Sequence, residues 1–392
     1  MTKCLTPFES LSVLPHALDH IQSVSWKDEV LICGGANWNS CYTYNVRVSE
    51  YKYINSYSKD ISMFGHSVVK LENGSDDNSN ELTLLSFGGQ GTNQRKHTLV
   101  MKYKSLWENG GRGVVPAPEH NKWKLWIRNG RTVTIGRDHD DLRGVRGVVG
   151  GKNKELLFLV FYPNRMDVFD LNLGQYLTHV KNNQLPLQPQ TYGTYYHCLI
   201  SKSVTNTKTN TNTNTNTNTN ANANVSQSME WTKSSMQELL LFCEDTGLLI
   251  QFDLSCNTFF YKAIPVSNDL KALNFYAYVY VDPYAVLFFG GFDRMTSAFS
   301  NAVHKYSISE NTWVKFNPFL PTPSCSAVAL LSPDRTFVHV LGGFDGRSEL
   351  TLHFKTSVKE WVKEAVLQTP ITKSNSHTEQ DQEKKAKLND VL

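Results

Sequence analysis

Long apolar stretches, paired cysteines and catalytic signatures are what this sequence lacks. No run approaches the ~18 apolar residues of a membrane-spanning helix, and the first residues carry no basic-then-apolar leader pattern. Those absences set the expectation of an intracellular, cytoplasmic protein with no membrane span. The 7 cysteines (Cys4, Cys33, Cys41, Cys198, Cys243, Cys256 and Cys325) include no Cys-x-x-Cys pair, so neither a zinc site nor a disulfide framework is indicated. Net charge is +3 over 392 residues, too near neutral for a general attraction to nucleic acid or a lipid surface. Gly-x-Ser-x-Gly, phosphate-loop, His-Glu-x-x-His and kinase patterns are all missing. Two glycosylation sequons, at Asn73 and Asn224, read as chance without secretion. Ala-rich and Leu-rich helical stretches are absent as well, while 24 glycines, 20 phenylalanines and 17 tyrosines favour an all-β chain.

What is present is a repeated unit, clearest over residues 285–313. Val286, Leu287, Phe288 and Phe289 run into Gly290-Gly291, too short for a helix and without its period, so they form a buried strand. Val303 and Lys305 then alternate with His304 and Tyr306, the period of a second strand. Ser309-Glu310-Asn311 is turn chemistry, and Trp313 begins a third.

The unit recurs. Unit one has residues 30–33 before Gly34-Gly35, then Tyr42, Tyr44 and Tyr51. Unit two has 82–87 before Gly88-Gly89, then 98–103 and Trp123, with a Gly- and Pro-bearing loop over 104–120. Units three and four lack the glycine pair: Phe161 and Cys243, at the ends of the strands 156–161 and 238–243, stand where glycine is expected. Unit six has 337–341 before Gly342-Gly343, then 350–354 and Trp361. The six units span about 14–57, 61–128, 142–181, 192–265, 273–318 and 322–366, within a domain over 14–370. Between Gly88 and Gly290 lie three steps of ~50 residues once the insertions are set aside, so six units fit better than seven.

A four-stranded sheet of this length cannot bury both faces alone. Stacking neighbours around a ring does so, which is the propeller solution. Residues 205–224 are mostly Thr-Asn dipeptide with no large apolar side chain, so 203–237 is expected to be a disordered insertion at a loop tip, tolerated slippage rather than a functional tract. Residues 371–392, polar and charged, are expected to form a disordered tail.

Taken together, Gly-Gly after four apolar residues, a Tyr on the next strand (Tyr306) and a Trp about 22 residues beyond the glycines resemble the kelch repeat. The motif residues are Gly34, Gly35, Gly88, Gly89, Gly290, Gly291, Gly342 and Gly343, with Trp123, Trp313 and Trp361 at the aromatic position and Tyr51, Tyr176 and Phe259 in the other units. The resemblance covers about 14–364, and the chain also looks like the expanded kelch-only proteins of single-celled eukaryotes. It implies a six-bladed β-propeller, seven blades being the alternative, that serves as a non-catalytic platform for a protein partner. A monomeric ring without cofactor or metal is the expectation. Closure is expected within the last blade through Trp361; the alternative is that the N-terminal segment, residues 1–13, supplies the outer strand through residues 7–11. With only about fourteen residues before unit one, no BTB or F-box domain is expected.

Candidate chemistry is sparse. The densest polar cluster runs from Arg137 through Asp138, His139, Asp140 and Asp141 to Arg143; its spacing matches no calcium loop, and a solvated turn with compensating charges is the expectation. Copper-oxidase propellers need a Cys beside a Tyr in space, whereas Cys41 and Tyr42, adjacent on a strand, point to opposite sides. His66, His304, His339 and His353 fall on strands and are expected to be satisfied there rather than to act as ligands. Family analogy places partners on the loops between second and third strands: 36–41, 90–97, 162–165, 244–247, 292–301 and 344–349. Arg95, Arg165, Arg294 and Arg347 lie there, with Arg137 and Arg143 on a connection reaching the same face, and Trp38 and Phe344 as apolar anchors. An acidic or phosphorylated partner segment is the expected ligand. The alternative is an enzyme of the galactose-oxidase-like propeller type with its site at the channel mouth.

Overall fold

The structure, a computed structural model, describes residues 6–71, 80–107, 119–189, 193–202, 236–317 and 319–362. They form six antiparallel blades, each running from an inner first strand to an outer fourth one. Blade one contains Gln22–Trp26, Glu29–Cys33, Ser40–Asn45 and Glu50–Ser56. Blade two contains Ser67–Leu71, Leu82–Phe87, Thr98–Tyr103 and Lys124–Leu125. In blade three the strands are Asp141–Gly150, Leu156–Tyr162, Arg165–Asp170 and Gln175–Tyr176; in blade four, Cys198–Ser201, Met236–Cys243, Thr246–Asp253 and Thr258–Ala263. Blade five has Ala277–Val281, Ala285–Asp293, Ala298–Ser307 and Thr312–Lys315. Helix is confined to Asn268–Lys271 and the 3-10 turn Val358–Glu360 among the described residues, and no helix there is long and apolar enough to cross a membrane.

The first strands are neighbours around the axis: Gln22–Trp26 lies beside both Ser67–Leu71 and Val328–Leu331, so the ring is closed. The second strands face a neighbour on either side and are correspondingly apolar. Glu29–Cys33 is buried throughout, and Leu239, Leu241, Val286 and Phe288 are shut from solvent. Between the blades the tryptophans fill the wedge. Trp313 packs on Phe242 and Phe288 with ring centroids 5.1 and 5.2 Å away, and its indole donates to the Pro265 carbonyl. Trp123 stacks on Tyr57 at 4.7 Å.

Glycine pairs are required by close approach. At Gly290 (φ 66°) a Cβ would run into the Ser324 carbonyl, and at Gly342 (φ 64°) into that of Leu18. In both cases the next residue clasps the same incoming chain: Gly291 and Gly343 donate N–H to Ser324 and Leu18 at 2.9 and 2.8 Å. Blade three manages without the pair because the chain arriving there carries Gly193, which makes room for the Tyr162 ring.

Blade six corrects the expected closure. Its strands are Val328–Leu331, Phe337–Leu341 and His353–Ser357, and the outer place is taken by Phe8–Ser10, paired with residues 354–356. Trp361 is not on a strand. The Ser357 hydroxyl caps the turn Val358–Glu360 by accepting the Lys359 N–H, which turns the chain inward and leaves the edge of His353–Ser357 free for the N-terminal segment. Two further differences are local. Met236 and Gln237, assigned to the insertion, begin a second strand, and a hairpin of Ile127–Arg128 with Arg131–Thr132 follows blade two. Residues 203–235 of the insertion, the tail 371–392, both sequons and Cys4 lie outside the described residues.

Candidate functional site

Because strand direction alternates, the second-to-third loops open on the same face as the connections between blades. Each connection reaches its inner strand through one residue of left-handed backbone: His20 (φ 53°), Gly65 (68°), Gly144 (66°), Tyr196 (51°), Phe275 (55°) and Ser326 (56°). Backbone bonds join them across blades: His20 N–H donates to Ser326 C=O (3.0 Å), Ser326 N–H to Phe275 C=O (2.7 Å), and Tyr196 N–H to Gly144 C=O (3.2 Å).

Rings crowd this mouth. His20 lies 4.7 Å from Phe64 and 4.8 Å from Tyr196, and Tyr196 lies 4.3 Å from Phe275. The Tyr196 ring occupies the space a Cβ at Gly65 or Gly144 would need. Here His20, Gln22, Arg146, Tyr196, Tyr276 and Ser326 help line a cavity of about 20 Å³, room for one water-sized group. Arg146 donates to the Val145 carbonyl at 3.1 Å and sits 5.7 Å from the Tyr196 centroid, and among the described residues it has no carboxylate within ion-pair reach. The Tyr196 hydroxyl is buried without a partner, the residue being 5% exposed, and burial pushes its pKa up, keeping it a neutral donor.

Around the mouth the loops touch in succession. Trp38 donates to the Glu349 carboxylate at 3.2 Å and stacks on His16 at 4.6 Å. Phe344 meets Phe299 at 5.8 Å, and Arg294 faces Glu244 at 3.8 Å. Tyr162 stacks on Tyr195 at 4.5 Å, and Leu142 N–H donates to the Gln90 carbonyl.

The arginines divide into two groups. Arg165 lies 3.9 Å from Asp167, which also takes Arg137 at 2.7 Å, and Arg294 is held as above. Arg95 and Arg347 are exposed and make no ion pair among the described residues. The cluster over 137–143 carries compensating charges but is only partly solvated: Asp138 and His139 are exposed, whereas Asp140 and Asp141 are buried and each is bound by an arginine. Burial pushes the Asp141 carboxyl up, but the hydrogen bonds from Arg143 outweigh it and hold the group below the usual carboxylate range, with Tyr195 adding a smaller pull.

Not all strand histidines are satisfied. His339 Nδ1 meets His353 Nε2 at 2.8 Å, and His353 Nδ1 meets the Tyr51 hydroxyl at 2.6 Å, but both ring nitrogens of His304 and Nε2 of His66 are buried without partners. Cys41 Sγ accepts from Trp123 while Tyr42 faces His16 and Tyr53. The axial set of His20, Phe64, Arg146, Tyr196, Phe275 and Ser326 escaped the sequence reading. Four of the six, His20, Tyr196, Phe275 and Ser326, fall in the column of left-handed residues leading into the inner strands, while Phe64 and Arg146 lie one and two positions from it.

Six blades around a closed axis, with ringed loops on one face, define a six-bladed β-propeller. Among solved structures, that of YjhT is similar: TM-score 0.55 and 13% identity over 89% of this chain and 97% of that one. The sequence matches no family model and no curated protein.

Proposed function

We propose that the chain is a kelch-repeat interaction platform and that its loop face docks an acidic or phosphorylated segment of a partner protein. The observation that carries the reading is the arc over blades six, one and two. Arg347 and Arg95, exposed and in no close ion pair among the described residues, share these loops with Trp38 (40% exposed) and, on the connection into blade two, Phe64 (43% exposed). Guanidinium forks suit carboxylate and phosphate, and partly exposed aromatics supply the apolar anchor of a hot spot. Each exposed charge pair alone is worth little, ~0–1 kcal/mol, so affinity requires both arginines and the rings together. Arg165 and Arg294 contribute less on this reading, being already engaged by Asp167 and Glu244. The rim residues bind without chemistry, and the platform acts as an intracellular monomer.

The test is fluorescence anisotropy with labelled peptides carrying Asp and Glu around one aromatic residue, and their phosphoserine counterparts. Arg95→Glu with Arg347→Glu is expected to abolish binding, and reversal at Arg165 to weaken it only slightly. Equal affinity of wild type and double variant would remove the reading.

A further inference from the structure

Asp19, His20 and Ser326 form a hydrogen-bonded chain at the axial cavity. Asp19 Oδ2 lies 2.7 Å from His20 Nδ1, and His20 Nε2 lies 3.3 Å from Ser326 Oγ. The first contact selects the tautomer: with the Nδ1 proton directed at the carboxylate, Nε2 presents its lone pair to the hydroxyl. Carboxylate, imidazole and hydroxyl in that order are what a serine nucleophile needs, and such contacts are often loose before substrate arrives.

These residues come from near opposite ends of the sequence and meet only because the ring closes, through the His20 N–H to Ser326 C=O bond. Both Asp19 and Ser326 are buried, and the second carboxylate oxygen of Asp19 has no partner among the described residues. A buried carboxylate so sparsely bonded is costly unless it serves the imidazole. Two donors line the same cavity: the Tyr196 hydroxyl, buried without an acceptor among the described residues, and the Arg146 guanidinium, which also bonds the Val145 carbonyl and the Tyr278 hydroxyl. The left-handed backbone of His20 and Ser326 lends no support, since all six blades share it.

We propose that the axial cavity is an acyl-transfer site for esters of small carboxylic acids. Ser326 is the nucleophile, His20 the general base, Asp19 the positioning residue, and Tyr196 Oη with Arg146 the donors to the oxyanion. The Ser326 Oγ–carbon bond forms as the hydroxyl proton moves to His20 Nε2, and the carbonyl electron pair moves onto oxygen. Collapse breaks the bond to the alkoxy group, which leaves with the proton from His20. Water, deprotonated by His20, then releases the acid and restores the serine, so the balance is ester plus water to acid plus alcohol. The site goes beyond the docking face and does not depend on it.

The probe is 4-nitrophenyl acetate with the full-length protein. Wild type is expected to hydrolyse it above the buffer rate and, after acid quenching, to carry one acetyl group on Ser326 by peptide mass spectrometry. Ser326→Ala and His20→Gln are expected to lower the rate about 100-fold or more, whereas Cys325→Ser, which removes the neighbouring thiol, leaves it unchanged. Asp19→Asn is expected to lower kcat with KM preserved and to shift the acid limb of the pH profile, which a merely structural residue would not do. A fluorophosphonate applied to the wild type needs no variant and is expected to label Ser326. Absence of that label, or equal rates for wild type and Ser326→Ala, overturns the proposal.

Discussion

Phe8 and Trp361, near opposite ends of the sequence, pack against each other with ring centroids 5.6 Å apart. Phe8 also touches Phe289 and Phe354, both at 6.3 Å, so one side chain joins blade five, blade six and the outer strand that closes the ring. Phe8→Ala is expected to cost about 3–5 kcal/mol in guanidinium unfolding, the range for a large buried aromatic. A loss below about 1 kcal/mol would mean the N-terminal strand is dispensable.

The seam between blades six and one carries the chain Tyr51–His353–His339. Tyr51→Phe removes the hydroxyl and leaves a buried imidazole nitrogen unpaired, so stability should fall by about 1–3 kcal/mol. Denaturant midpoints of the two proteins check this, and an unchanged midpoint would place that nitrogen in contact with water.

Acid should loosen the fold through its buried histidines. Burial holds His66 and His339 down at about 4, and His97 and His353 at about 3. Each is therefore neutral in the folded protein where the unfolded chain, with an ordinary value near ~6.5, takes up a proton. Their contribution is fully present above pH ~6.5 and is lost as pH falls toward 4, at up to about 1.4 kcal/mol per pH unit for each group. Thermal unfolding between pH 7.5 and 4.5 should show Tm flat and then falling. A Tm that rises on acidification would contradict the assignment.

Two alanine substitutions separate close approach from backbone strain. Gly290→Ala meets the Ser324 carbonyl, whereas Gly130 (φ 73°) has open space where its Cβ would be. Gly130→Ala should cost about 1–2 kcal/mol, the left-handed penalty alone. Gly290→Ala should cost distinctly more, and equal losses in urea unfolding would refute the steric account.

Much of this architecture is legible in the sequence because its causes are local. Residues 286–289 are continuously apolar since the second strand has a neighbour on both faces, and Gly290 records the chain that crosses it. Even the degenerate blades carry apolar runs at 156–161 and 239–243, enough to place them without glycines. What the sequence hides is decided between distant segments. Residues 359–361 resemble an outer strand, but the Ser357 cap diverts them and Phe8–Ser10 takes the edge. Charge neutralisation is hidden for the same reason: nothing near Arg137 or Arg294 in sequence announces Asp167 or Glu244. The axial chain of Asp19, His20 and Ser326 exists only once the ring is closed.

The claim on which the functional account rests is that a partner docks on the loop face over blades six, one and two. Hydrogen–deuterium exchange with the tightest acidic peptide tests it most directly. Protection is expected over residues 36–41, 90–97 and 344–349, with none at the opposite-face turns 46–49 and 254–257. Protection confined to those opposite turns would contradict it.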